Sequence, residues 1–183
     1  MDVTAAVLAG GLGRRIGGDK AMVQLAGRPL ISYPIAAAQA AGLPTIVVAK
    51  PGTTLPPLDV PILLEPEQPT HPLLGIVTAL QTLPAVIALP CDMPLLHGAD
   101  LVALAEMEHD VATLWPGEPL PALYRKPLLA QLRVALQAGA SVRSTQAQPV
   151  LAPAAITSRR PATQLAINTL SDLEAAEAAL SQA

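Results

Sequence analysis

One stretch near the amino terminus decides the fold: Val3-Thr4-Ala5-Ala6-Val7-Leu8-Ala9-Gly10-Gly11-Leu12-Gly13-Arg14-Arg15-Ile16-Gly17-Gly18-Asp19-Lys20. Its first six residues are apolar or β-branched, which predicts a buried strand that closes in a tight turn. Residues 10–18 contain five glycines, so the backbone can approach a ligand and direct successive N–H groups at phosphate oxygens. Three of the chain's eleven basic residues, Arg14, Arg15 and Lys20, lie in this loop. The stretch therefore predicts a strand followed by a phosphate-binding loop rather than a solvated turn.

Two widespread phosphate loops do not match this stretch. A Rossmann fingerprint that begins at Gly11 requires glycine at position 16, where the chain has Ile16. A Walker A loop ends in Gly-Lys-Ser/Thr, whereas this loop ends in Asp19-Lys20-Ala21 and offers no hydroxyl to a Mg²⁺ ion. The loop belongs to neither class.

The remainder of the chain alternates short apolar runs with helical segments, and this pattern predicts a mostly parallel sheet with right-handed crossovers. The fold class expected is a three-layer α/β/α, Rossmann-like domain that spans residues 1–183. The predicted strands are 3–8, 45–49, 61–64, 85–89, 111–115, 122–125 and 163–168. The predicted helices are 30–41, 73–83, 100–107, 127–137 and 170–180, and the predicted loops include 50–59, 65–72 and 144–160. In such sheets ligands bind at the carboxyl ends of the strands, so the loops after Leu8 and Leu89 are expected to form the ligand site.

Composition limits the partners. The net charge is −3, which argues against a nucleic-acid polymer. The chain has a single cysteine, Cys91, which suits a reducing compartment. The amino terminus lacks the basic start of a secretory signal, and no apolar run approaches the roughly 20 residues of a membrane span. We expect a soluble, cytoplasmic protein.

A second candidate group is Asp92, in Leu89-Pro90-Cys91-Asp92-Met93-Pro94 after a predicted buried strand. A carboxylate in an apolar neighbourhood needs hydrogen-bonded or charged company. Two roles are open from the residues alone: Asp92 caps a turn or the following helix, or it binds a divalent cation that also contacts phosphate. Cys91 is expected to be a small buried residue rather than a nucleophile.

The loop Leu8-Ala9-Gly10-Gly11-x-Gly13-Arg14-Arg15-Ile16-Gly17-Gly18-Asp19-Lys20 closely resembles the signature of molybdenum cofactor guanylyltransferases, within the sugar-nucleotide-pyrophosphorylase-like superfamily. The resemblance extends to Cys91-Asp92-x-Pro94, to Pro72-Leu73-Leu74-Gly75, and to Ile167-Asn168-Thr169 with Asp172-Leu173. It implies the nucleotidyltransferase version of the predicted fold. Residues 48–51 and 65–67 depart from the family pattern, although Glu65 or Glu67 can replace an acidic residue common there.

The resemblance also implies an activity: transfer of GMP from GTP to molybdopterin with release of pyrophosphate, with molybdoenzymes or their chaperones as receivers of the product. The backbone of Leu8, Ala9, Gly10, Gly11 and Gly13 would hold the nucleotide. Arg14 and Lys20 would neutralise phosphate charge, and Asp92 would bind Mg²⁺.

Asn168 is a candidate second ligand or a hydrogen-bonded residue beside a helix cap, and both interpretations remain open. His71 and Arg143 are weaker candidates for substrate contact. The alternatives are a cytidylyltransferase, another transferase with a small phosphorylated acceptor, or a non-catalytic nucleotide-binding module.

Overall fold

The computed structural model describes residues 2–9, 19–147, 154–155 and 166–182. The strands in these ranges are β1 (Thr4–Leu8), β2 (Gln24–Leu25), β3 (Arg28–Pro29), β4 (Thr45–Ala49), β5 (Ile62–Leu64), β6 (Ala85–Pro90), β7 (Val111–Thr113), β8 (Ala122–Arg125) and β9 (Ala154–Ala155). The α-helices are α1 (Ser32–Ala40), α2 (Pro72–Thr82), α3 (Gly98–Ala105), α4 (Leu129–Gln137), α5 (Val142–Gln146) and α6 (Leu170–Leu180).

Seven of these strands form one sheet in the order β5-β4-β1-β6-β8-β7-β9. Strand β1 lies near the centre and pairs in parallel with β4 on one side and β6 on the other. Strand β8 runs antiparallel to both of its neighbours. The prediction of an α/β fold with a mostly parallel sheet is confirmed, and the carboxyl ends of β1, β4, β5 and β6 lie side by side.

The two faces of the sheet pack against different helices, because successive side chains of a strand point to opposite faces. Ala5 and Val7 of β1 belong to a core that includes Ile35 of α1 and Leu101 of α3. Ala6 between them belongs to the core on the opposite face, which is built largely from α2 and α4. Both faces of β1 are therefore covered, which explains why its sequence is a continuous apolar run.

A third, smaller core joins the β2–β3 hairpin to the last helix and the residues just before it. Strands β2 and β3 form a hairpin whose two turn residues, Ala26 and Gly27, both have positive φ, as a type I′ turn requires. Leu25 and Leu30 pack against Ile167 and Ala176 of the α6 region. This contact brings residues 166–182 back to the segment that follows the glycine-rich loop.

The carboxyl-terminal half differs from the sequence-based expectation in two places. The predicted loop 144–160 contains the end of α5 and strand β9, because Ser141 caps a short helix and β9 pairs its backbone with β7. Residues 166–168 of the predicted last strand form no strand, and residues 163–165 lie outside the described ranges. Short elements of this kind are stabilised by caps and edge pairing, which leave no apolar periodicity in the sequence.

Among the residues that the structure describes, no helix has both the length and the apolar character needed to cross a membrane.

Candidate functional site

A cavity of about 330 Å³ opens at the carboxyl edge of the parallel strands. Its walls come from the residues at or just after the ends of β1, β4, β5 and β6, together with the start of α2. The lining residues are Leu8, Lys20, Val48, Lys50, Glu65, Thr70, His71, Pro72, Gly75, Pro90, Cys91, Asp92 and Leu120. This is the edge at which open α/β sheets bind ligands, and the volume suits a small organic molecule.

Lys20 and Asp92 meet at one end of this cavity. The Nζ atom of Lys20 lies 2.5 Å from Oδ2 of Asp92, and both side chains are largely shielded from solvent. The same ammonium group donates to Oδ1 of Asn168 across 2.7 Å. The structure thus brings together three residues that the sequence singled out separately, over separations of 72 and 148 positions.

Backbone contacts hold Asn168 beside Asp92. The N–H of Ile167 donates to the carbonyl oxygen of Asp92 at 2.8 Å. A capping box formed by Thr169 and Asp172 at the start of α6 then holds the next turn. The carboxylate of Asp172 accepts the N–H groups of Asn168 and Thr169, both at 2.8 Å, and the bond from Asn168 is the main cause of a lowered pKa at Asp172. Asn168 is therefore both a neighbour of a helix cap and a side chain directed at Lys20.

An ion pair forms a second polar feature of the cavity. Nζ of Lys50 lies 3.3 Å from Oε1 of Glu65, and Glu65 is only 6% exposed. Lys50 also donates to the carbonyl oxygens of Pro66 at 2.8 Å and Pro69 at 3.3 Å. Burial raises the pKa of Glu65, while Lys50 opposes that rise.

This pair was not anticipated, although the sequence contains a signal for it. Lys50 directly follows β4 and Glu65 directly follows β5, and these strands are parallel neighbours. Charged residues placed just after two adjacent parallel strands lie at the same edge of the sheet. Glu67, the other acidic candidate in this segment, is exposed.

The start of α2 forms the wall beside Glu65. His71 is the N-cap of that helix, and its Nδ1 accepts the N–H of Leu73 at 3.1 Å. Burial lowers the pKa of His71, which favours the neutral ring. The histidine is thus a partly buried cap at the cavity rather than a solvent-facing loop residue. Gly75 lies against β1 and Glu65, because a Cβ there would be 2.9 Å from Cδ2 of Leu8 and 3.0 Å from Oε2 of Glu65.

Cys91 has the character expected of a structural residue. Its side chain is buried, and burial, with a smaller contribution from Asp92, raises the pKa of the thiol to about 12. A thiol with such a pKa carries almost no thiolate at neutral pH. Cys91 therefore packs just after β6 as a buried thiol.

The other predicted site residues divide into three groups. Leu8 and Ala9 lie at the end of β1, where the N–H of Ala9 bonds to the carbonyl oxygen of Val48. Arg143 is exposed and its guanidinium contacts the carbonyl oxygen of Gly117 and the carboxylate of Glu118. Four predicted residues fall outside the described part of the chain: Gly10, Gly11, Gly13 and Arg14.

The oxygens of Asp92 and Asn168 suit a hard divalent cation. Oδ2 of Asp92 and Oδ1 of Asn168 converge on one positively charged atom, and Mg²⁺ prefers oxygen ligands, with water and substrate phosphates completing its shell. Within the described ranges no three histidine, cysteine or acidic side chains gather into a metal cluster. The set fits an ion held jointly with substrate and does not fit a closed structural site.

Comparison with known proteins agrees with this geometry. Residues 5–165 match the family described as the MobA-like NTP transferase domain. A molybdenum cofactor guanylyltransferase from Shewanella halifaxensis is 32% identical, covering 75% of this chain and 74% of that protein. A probable molybdenum cofactor guanylyltransferase from Chloroflexus aggregans is 29% identical, covering 76% of this chain and 73% of that protein.

The fold has a solved counterpart. The molybdopterin-guanine dinucleotide biosynthesis protein A from Archaeoglobus fulgidus superposes with a TM-score of 0.78 at 22% identity, covering 98% of this chain and all of that one. The match over residues 5–165 includes nearly all of β1, the whole of β4 and β6, and Asp92 just after β6. The chain belongs to the MobA-like NTP transferase family and is a nucleotidyltransferase.

Proposed function

We propose that this enzyme transfers GMP from GTP to the phosphate of molybdopterin that carries molybdenum, and releases pyrophosphate. The observation that carries the proposal is the convergence of Lys20, Asp92 and Asn168 at the end of β6, beside the cavity. Such a site provides one ammonium group and two oxygen ligands, which suit transfer from a nucleoside triphosphate. The choice of molybdopterin as acceptor rests on the names of the two relatives.

Glu65 supports the choice of guanine. The edge of guanine that carries N1–H and the 2-amino group presents two adjacent donors, and an ionised carboxylate accepts both. Cytosine and adenine present one amino donor beside a ring acceptor, and uracil presents one donor between two carbonyl oxygens. Lys50 contacts Oε1 of Glu65 and two carbonyl oxygens of the following loop, so it holds this carboxylate at the cavity wall and favours its charged form against the effect of burial.

Each remaining group has a part in the transfer. The backbone of residues 8–11 and Gly13 would hold the nucleotide, and Arg14 and Lys20 would neutralise charge on the β- and γ-phosphates. Asp92 and Asn168 would hold Mg²⁺. When bound, the ion supplies charge neutralisation at the reacting phosphates. The balance of the reaction is simple: an acceptor phosphate oxygen bonds to the α-phosphorus, and the bond from that phosphorus to the bridging oxygen of the leaving pyrophosphate breaks.

The proposed reaction needs no general base. A phosphate monoester has a second pKa of about 6, so the acceptor oxygen is already largely ionised at neutral pH. The residues of the cavity therefore act by positioning the reactants and by neutralising charge. The thiol form of Cys91 and the neutral, capping His71 are consistent with this chemistry.

The direct test measures pyrophosphate release by the purified protein with Mg²⁺ and molybdenum-loaded molybdopterin, in parallel with GTP, CTP, ATP and UTP. We expect release with GTP that requires the acceptor. Release with CTP alone would replace the guanylyl reaction by a cytidylyl one. Release with GTP and a different phosphorylated acceptor, but none with molybdopterin, would replace the acceptor. No release with any nucleotide would leave a nucleotide-binding module.

A further inference from the structure

The ammonium group of Lys20 lies where two oxygen ligands converge. It is 2.5 Å from Oδ2 of Asp92 and 2.7 Å from Oδ1 of Asn168. A residue that neutralises phosphates is thus bound to the two side chains that are assigned to the metal. Two of the three donors of this ammonium group are therefore used by Asp92 and Asn168.

The backbone at Asp92 and at Asn168 is held by contacts that do not involve Lys20. The peptide of Asp92 is tied to Ile167 by a backbone hydrogen bond of 2.8 Å. The peptide of Asn168 is tied to the capping box through Asp172, also at 2.8 Å. Removal of the lysine side chain would therefore leave an oxygen pair that has lost its positive charge but keeps its backbone supports.

The ammonium group of Lys20 and a divalent ion cannot occupy this position together, because both are positively charged. Asp92 contributes one negative charge, which the ammonium group balances in an environment where Lys20 and Asp92 are only 17% and 14% exposed. A divalent ion on the same oxygens would stand within a few ångströms of the ammonium group, and like charges at that distance repel strongly in a partly desolvated site. The ion can be held only when Lys20 has moved away.

We propose that Lys20 is an internal substitute for the divalent cation, with its ammonium group in the cation position between Asp92 and Asn168. Lys20 leaves that position when a nucleoside triphosphate binds, because its ammonium group then pairs with the phosphates. The inference rests on the proposed role of Asp92 in metal binding. It has a direct consequence for the order of binding. The free enzyme holds divalent ions poorly, and ion and nucleotide enter together, because the phosphates that attract Lys20 also complete the ion's ligand shell.

The test measures Mn²⁺ binding without nucleotide, from the electron paramagnetic resonance signal of the free ion. The variants are Lys20→Met and Lys126→Met. Lys126 is a matched control because its loss changes the net charge equally, while its backbone N–H bonds Pro84 at the opposite end of β6. We expect Lys20→Met to bind Mn²⁺ at least about tenfold more tightly than wild type, and Lys126→Met to bind as wild type does. Equal or weaker binding by Lys20→Met overturns the proposal.

Two further variants keep the result interpretable. Lys20→Gln removes the charge while retaining a polar side chain, and the same gain is expected if Lys20→Met does not fold. Adding Asp92→Asn to either variant should abolish the gain, and a gain that persists in the double variant places the ion elsewhere and refutes the inference. Because the readout is ion affinity, it is independent of turnover: a protein that releases no pyrophosphate but shows this pattern would contradict the proposed reaction and support the substitution of Lys20 for the cation.

Discussion

The backbone N–H of Ile167 donates to the carbonyl oxygen of Asp92 across 2.8 Å. This bond joins the end of the strand that carries the acidic candidate to the turn that carries Asn168. Lys20 then bridges the two side chains. The polar end of the cavity is consequently built from three distant chain segments.

Asp92→Asn should reduce turnover severely while the fold remains intact. The amide keeps the size of the side chain but loses the charge that pairs with Lys20 at 2.5 Å. We expect kcat to fall by a factor of about 10²–10³ or more, the scale seen when one electrostatic group of an active site is removed. Steady-state pyrophosphate release and thermal unfolding give the two readouts. Asp59→Asn, an exposed loop substitution, is the matched control, and retained activity in Asp92→Asn would refute its assignment.

Glu65→Gln should weaken the binding of GTP more than that of ITP, which lacks the 2-amino group. The amide replaces one acceptor by a donor and removes the charge, and a hydrogen bond to a charged group contributes about 1.5–3 kcal/mol. GTP affinity should therefore fall roughly 10- to 100-fold, as measured by calorimetry with Mg²⁺ present. Glu67→Gln changes a neighbouring exposed carboxylate and should bind GTP as wild type does. An equal loss for GTP and ITP would show that Glu65 does not read the 2-amino group.

The same carboxylate should make GTP binding sensitive to acid. Burial raises the folded-state pKa of Glu65 above its ordinary value of 4.5, so on acidification from neutral pH the accepting carboxylate is lost earlier than at an exposed glutamate. The ratio of wild-type to Glu65→Gln affinity cancels titration of the nucleotide. We expect this ratio to decline as pH falls, with its midpoint above 4.5, and a ratio independent of pH would contradict the assignment.

The raised pKa of Glu65 should also make the free energy of unfolding depend on pH. Acidification should increase the contribution of Glu65 to stability, whereas it decreases the contribution of Glu65 to GTP binding. Because its pKa is raised on folding, the folded state favours the protonated form. The resulting stabilisation is fully present below about pH 4.5 and is lost as pH rises through the folded-state pKa. Urea unfolding of wild type and Glu65→Gln across this range should show the wild type losing stability relative to the variant as pH rises. A difference that stays constant across the range would argue against a raised pKa.

Gly75→Ala should destabilise the fold. The added Cβ would stand 2.9 Å from Cδ2 of Leu8 and 3.0 Å from Oε2 of Glu65, and overpacking of a core costs about 1–3 kcal/mol, against a gain of about 1 kcal/mol from the higher helix propensity of alanine. Urea unfolding measures the loss. Leu8→Val removes the nearer clashing atom, so the double variant should be more stable than the sum of the two single losses predicts. Strict additivity would show that the clash with Leu8 is not the cause.

Thr169→Ala should cost about 0.5–2 kcal/mol of stability, because the threonine hydroxyl accepts the N–H of Asp172 in the capping box. Thr169→Ser keeps that acceptor and should restore most of the loss. Chemical denaturation of the three proteins provides the comparison. Loss of stability in both variants to the same extent would assign the effect to the methyl group of the threonine and not to its cap.

Much of this architecture followed from local patterns. The run from Val3 to Leu8 is apolar except at Thr4, because both faces of β1 are covered. Such runs predict central parallel strands. The helix at 170–180 was predicted, and its capping box is likewise a contact within four residues. Interactions between residues close in sequence are visible in the sequence itself.

Lys20 and Asp92 were individually predictable for the same reason: each belongs to a short motif, the end of the glycine-rich loop in one case and the residues just after a buried strand in the other. Their resemblance to a known family gave each an expected role. What no local pattern contained was their contact with one another, or the presence of Asn168 on the same ammonium group.

Tertiary structure alone decided those contacts and the Lys50–Glu65 pair. Parallel strands with crossover connections bring their carboxyl ends to one edge, so residues far apart in the chain become neighbours only when the order β5-β4-β1-β6 is set. The sequence by itself determined which chemical groups are available and which strands carry them. Sheet order and the return of residues 167–168 to Asp92 determined which of those groups meet, because these depend on packing between distant segments and not on local sequence.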